Sequence, residues 1–247
     1  MEQIQNNRVI TDLYRENAQF PGIALDGSDV YLCWQRFVDR HDSLMASCRR
    51  GDEVVWEREI SDGGEVLHPV ILAHGGAIWY AWSEYARENW RILARCYRDG
   101  QWGEVLTVAS GEALFFPRLF TWQGKLHVIW TEQHKGSAAA VLCPLTEAGP
   151  GAAETVSVVG EAYRAGAAEG GDGNLYVAYD GFDGKQYKLF ARARTAAGWS
   201  EEIVVSQGED WASTPWIAAK PDGAVVGWYD YGYMAVYSVR SADLTVR

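Results

Sequence analysis

Several residue types are scarce in this 247-residue chain, and each scarcity excludes something. There are only 4 Cys and 5 His, with no Cys-x-x-Cys pair and no cluster at metal-ligand spacing. A zinc-built or disulfide-framed fold is therefore not read here, and neither a metal nor a cofactor is expected. No run of about 18 apolar residues is present, so no helix is expected to span a bilayer. Positive charge is in deficit: 22 Lys+Arg stand against 33 Asp+Glu, a net charge of −11. That balance argues against nucleic acid and against an anionic membrane surface as partners. The polar start, Met1 to Asn7, lacks an apolar signal core. A cytoplasmic location is the expectation, secretion staying open if a leader has been removed.

What the chain has in quantity is glycine (26) and aromatics, with 12 Trp, 13 Tyr and 7 Phe. Together they suggest many short strands joined by tight turns. A repeat gives the strands their order. Apolar runs led by Pro21, Pro69 and Pro117 recur every 48 residues, with further copies at Tyr163-Arg164 and Thr214-Pro215. Each run is followed by a turn signal such as Asp26-Gly27 or Gln123-Gly124, then by an aromatic-ended strand, a third strand and a shorter fourth. The aromatic ends are Trp34, Trp82, Trp130, Tyr179 and Tyr229.

Five units of four strands result, except that the fifth lacks its last strand. Arg8 to Leu13, followed by Glu16, carries the fourth-strand pattern at the opposite end of the chain. The predicted fold is all-β: a five-bladed β-propeller of four-stranded antiparallel blades, the last closed by the N-terminal strand, in one domain spanning 1–247. Closure removes the open edges that an incomplete ring would carry.

Positions alike in every blade are expected to be structural, because a single off-axis ligand touches the blades unequally. The strand-end aromatics belong to this class, as do Glu16, Glu65, Glu112, Glu161 and Glu209 at the blade junctions. Cys48, Cys96 and Cys143 also fall at one equivalent third-strand position, with Ala193 and Val239 in the other blades. Sites in separate blades lie too far apart for a disulfide, so these and Cys33 read as core groups.

Function is expected where the blades differ, at the axial mouth. Four candidates for acid–base work stand there: Glu132, Asp180, Asp230 and His68. Candidates for holding a ligand are Arg118, Arg164, Trp216, Tyr163, Glu84 and Arg36. Carboxylates accept hydroxyl hydrogen bonds, arginine forks hold anionic or hydroxyl groups, and ring faces cover sugar C–H surface. Trp90, Trp211, Tyr231 and Tyr233 add further rings.

Three stretches resemble repeats of the sialidase-like propeller superfamily: Gly198-Trp199-Ser200-Glu201-Glu202-Ile203-Val204-Val205-Ser206, Ile78-Trp79-Tyr80-Ala81-Trp82, and Leu175-Tyr176-Val177-Ala178-Tyr179-Asp180. The resemblance implies the fold more than an activity. The family's Asp-box is absent, and its three-arginine clamp and Tyr/Glu pair have no matching positions. Arabinanase-like five-bladed glycosidases carry an aspartate early in the first strand, and Phe20 to Leu25 holds none. Tachylectin-like lectins repeat their binding residues in every blade, unlike this mouth. The expected function is lectin-like binding of a carbohydrate or polar small molecule in one asymmetric pocket. A glycoside hydrolase or lyase using the same pocket and a protein-binding scaffold are the alternatives.

Overall fold

The computed structural model describes residues 17–61, 63–208, 210–231 and 237–246. Every element among them is a strand, and none is a helix long and apolar enough to cross a membrane. The strands form five antiparallel sheets in simple up-and-down order. The inner strands are Asn17–Asp26, Glu65–His74, Ala113–Trp122, Ala162–Glu169 and Trp211–Lys220. Each pairs with the next strand in sequence, and that one with a third. The outer strand of blade one is continuous, Glu53–Glu59. In blades two to four it is broken into two pieces, as at Gln101–Trp102 and Leu106–Gly111, both paired to the third strand. Blade five shows three strands among the described residues. The Arg8 to Leu13 segment lies outside them, as do Glu16, Glu209 and Tyr233.

Packing explains why the second strands read as unbroken apolar runs. In blades two to four both faces are covered by neighbouring blades, so alternation gives way to continuous burial, whereas the second strand of blade five alternates. Ala77 to Glu84 is buried at every residue. The core is accordingly divided among the blade interfaces. Tyr31, Leu44 and Cys48 of blade one meet Ile78, Tyr80 and Trp82 of blade two in one such cluster. Equivalent clusters join blades two and three, three and four, and four and five. All four cysteines are free and buried. Cys48 and Cys96 pair with Tyr31 and Trp79, three residues before Trp34 and Trp82, and are equivalent as expected. Cys143 pairs with Val128, two residues before Trp130, so it is one residue out of register and faces blade two, and Pro144 holds the equivalent position.

Every inner strand is interrupted at the same place. The register slips between Gln19 and Gly22, Leu67 and Val70, Phe115 and Arg118, Tyr163 and Gly166, and Ser213 and Trp216. Two residues there oppose one, which defines a β-bulge. The first of the two is always left-handed: Phe20, His68, Phe116, Arg164 and Thr214 have φ of 51, 53, 55, 37 and 54°. Such values strain a residue that carries a Cβ, and strain of this kind collects at functional sites. The proline that follows in four of the five blades has no amide hydrogen to lose from the ladder.

The bulge corrects one equivalence. The residue opposite it is Trp34, Trp82, Trp130, Tyr179 and, in blade five, Trp228 rather than Tyr229. The third strand of blade five is also displaced, running Tyr237–Leu244. Asp243, not Val239, therefore stands at the cysteine-equivalent position, opposite Val225.

Candidate functional site

The five bulges surround the axis, and the space between them is an open cavity of about 540 Å³. All five inner strands contribute to its wall. The left-handed residues Phe20, His68, Phe116, Arg164 and Thr214 line it, together with Arg118 and Trp216 one turn of the bulge further on. A bulge re-aims side chains, and five of them in register converge on one point. Four residues singled out from the sequence, Arg118, Arg164, His68 and Trp216, thus meet at the hub. Phe20 and Phe116 complete it. Their signal in the sequence was the repeated residue-proline pair, which marks the bulge in each blade.

Three of the ring systems form an arc. His68 lies between Phe20 and Phe116, with ring centroids 4.9 and 4.2 Å away. Its Nδ1 is buried and makes no hydrogen bond. Burial among these rings, with the positive charge of Arg118 nearby, pushes the imidazole pKa down to about 4, so the ring is neutral at pH 7. Trp216 stands across the cavity, two-fifths exposed and edge-on to Tyr229 at 4.7 Å.

The two arginines differ sharply in their partners. Arg164 is held by Asp180, which is fully buried: Nε donates to both carboxylate oxygens at 3.0 and 3.1 Å, and Nη2 donates to Oδ2. The Thr214 amide of the next blade donates to the same carboxylate at 3.2 Å. Burial pushes the Asp180 carboxyl upward against the pull of these donors. Desolvation lowers the Arg164 guanidinium, but Asp180 more than offsets it and holds the group above its usual value. Three donors converge on this one carboxylate and favour its charged form against burial. Arg118, by contrast, makes no hydrogen bond or ion pair among the described residues. Its tip meets solvent in the cavity, yet the concave walls desolvate it enough to lower its pKa.

The remaining candidates lie elsewhere. Glu84 is buried within its own blade, accepting from Trp82 Nε1 at 3.2 Å and from Arg91 Nη2. Asp230 repeats this clamp, accepting from Trp228 Nε1 at 2.7 Å and Arg240 Nε at 3.1 Å. Glu132 lines a separate cavity with Glu154 and His134. Arg36 pairs with Glu59 at 3.0 Å. Tyr163 packs on Tyr187 at 6.2 Å, and Tyr187 on Trp211 at 5.6 Å, a cluster apart from the hub rings. No carboxylate lines the axial cavity among the described residues; Asp180 stands directly behind Arg164. No group of three or more His, Cys, Asp or Glu among them is placed to hold a metal ion.

No protein-family model matches the chain, and no curated protein matches it. Solved structures do. An α-L-arabinofuranosidase from Lactobacillus brevis is similar with a TM-score of 0.58 at 10% identity, over 96% of this chain and 93% of that one. An endo-arabinase from Bacteroides thetaiotaomicron VPI-5482 gives 0.57 at 10%, over 92% and 94%. A puromycin-hydrolyzing peptidase from Mycobacterium tuberculosis gives 0.61 at 17%, over 92% of this chain but 35% of that one. At these identities the likeness establishes the propeller fold. Two glycan-cleaving enzymes and a peptidase on one wheel leave the activity to be argued from the site.

Proposed function

We propose that the axial cavity is a carbohydrate-binding site, in a chain whose residues 1–247 act as one domain. The observation that carries this reading is the Arg118 guanidinium, exposed and without a partner among the described residues, beside the neutral His68 imidazole in a cavity walled by rings. A guanidinium in a concave pocket presents several N–H donors, and a hydroxylated ligand supplies the acceptors. Arg118 orients the ligand and His68 completes its hydrogen bonds. Trp216 covers an apolar sugar face, and Arg164 is fixed in place by Asp180. A volume of about 540 Å³ suits a sugar ring with its substituents.

A second reading, glycoside hydrolysis, draws on the likeness to the arabinofuranosidase and the endo-arabinase. The usual mechanism needs two carboxyl groups about 5–5.5 or 6.5–9.5 Å apart across the scissile bond. Among the described residues Asp180 is the one acid adjoining the cavity, and Glu84 and Asp230 are bonded to tryptophan and arginine. We therefore rank binding first. Kinship with sialidase-like propellers is proposed at the level of blade grammar and carries no sialidase activity.

Titration calorimetry against a panel of neutral and acidic sugars tests the choice. Binding without turnover, lost in Arg118→Met, is the expected result. Turnover that Asp180→Asn abolishes while binding persists would favour the hydrolase. Absence of binding by any sugar would overturn the reading.

A further inference from the structure

We propose that the hub selects an acidic oligosaccharide: the carboxylate of one sugar seats on Arg118, and the sugars beyond it lie along an aromatic file formed by Phe116, Phe115, Trp90 and Tyr85. This rests on reading the hub as a sugar site, and it specifies the class of sugar and the direction in which the chain leaves.

Charge complementarity gives the acid. Arg164 pairs with Asp180 and His68 is neutral, so among the described residues the cavity carries the uncompensated positive charge of Arg118, in a protein of net charge −11. A neutral sugar would satisfy the hydrogen-bonding capacity of a guanidinium but not its charge. A carboxylate matches both, in the two-pronged geometry that arginine prefers.

Ring contacts give the direction. From His68 the file passes to Phe116 at 4.2 Å, to Phe115 at 6.1 Å, to Trp90 at 4.6 Å and to Tyr85 at 5.2 Å. Phe115 and Phe116 are neighbours in sequence and would point to opposite faces of a regular strand. The left-handed bulge at Phe116 instead turns one toward the axis while the other stays on the shoulder between blades two and three. Trp90 and Tyr85 oppose each other at the turn joining the second and third strands of blade two, on the mouth side. Tyr85 ends the file two-fifths exposed. On the far side of the mouth, the cluster of Tyr163, Tyr187 and Trp211 makes no described ring contact with the hub rings. A shorter series runs from Trp216 to Tyr229 at 4.7 Å and Tyr231 at 6.4 Å on blade five. The longer file, from His68 to Tyr85, leaves across the shoulder between blades two and three and offers more ring surface to a chain of sugars.

The test measures binding of galacturonate, its trimer, and a neutral galactose trimer by calorimetry, with thermal melts to verify folding. The acidic trimer is expected to bind more tightly than the acidic monomer, and the neutral trimer more weakly than either. Arg118→Met should weaken both acids by at least about tenfold. Trp90→Leu should weaken the trimer by about fivefold and leave the monomer unchanged. If Trp90→Leu melts early, Tyr85→Ala at the exposed end of the file replaces it. A neutral trimer binding as well as the acidic one would overturn the acid assignment while leaving the sugar site standing. Equal affinities for acidic monomer and trimer would overturn the file. Binding by none of the three would remove the sugar site and this inference together.

Discussion

His68 is the residue at which position and titration are most tightly joined. It is wedged between two phenylalanine rings and faces Arg118, so its protonated form is disfavoured in the folded protein. Unfolded, it takes up a proton below its ordinary value of 6.5; folded, it does so only near 4. Between those limits the unfolded chain binds more protons, so stability falls as pH drops from about 6.5 to about 4. The loss from this half-buried group amounts to about 1–3 kcal/mol. Urea unfolding at pH 7, 5.5 and 4.5 should show this slope in the native sequence and a flatter one in His68→Phe. Identical slopes would mean that His68 is not the titrating group. Its place at the mouth was legible from the repeat. Its neutrality was not, because that depends on rings contributed by blades one and three.

Within a blade, carboxylates that looked like site candidates have structural duties. Glu84 and Asp230 each stand two residues after the tryptophan opposite the bulge, on its face of the strand. Each ties that indole N–H to an arginine of the third strand. Glu84→Ala would strand a buried indole N–H and leave Arg91 without its partner. A loss of about 2–4 kcal/mol in chemical denaturation is expected, with ligand binding at the hub unchanged. Weakened binding at full stability would instead return Glu84 to the site. The sequence placed these acids correctly at the end of the second strand. It could not decide between the axis and the blade interface, because a period of two assigns faces only once register is known. The same limit put Tyr229 in the place of Trp228.

Between blades, the approach of neighbouring inner strands controls the shape of the hub. A Cβ built on Gly22 would meet Cys33 Sγ at 2.8 Å and Ile71 Cγ2 of blade two at 3.0 Å. Gly22→Val should therefore force blades one and two apart, costing about 1–3 kcal/mol. It should also disturb the Phe20–His68 contact and weaken hub ligands. A melting temperature and affinity equal to those of the parent would show that the interface accommodates the side chain. Burial on both faces of the second strands of blades two to four accounts for their continuous apolar runs. A repeat near 48 residues, turn dipeptides and strand-end aromatics were enough for the all-β class and five blades, because those signals are local and recur. The hub chemistry required the assembled wheel. Whether an arginine is paired, as Arg164 is, or without a partner among the described residues, as Arg118 is, depends on which side chains other strands bring within a few ångströms, and distances between blades are set only when the inner strands gather around the axis.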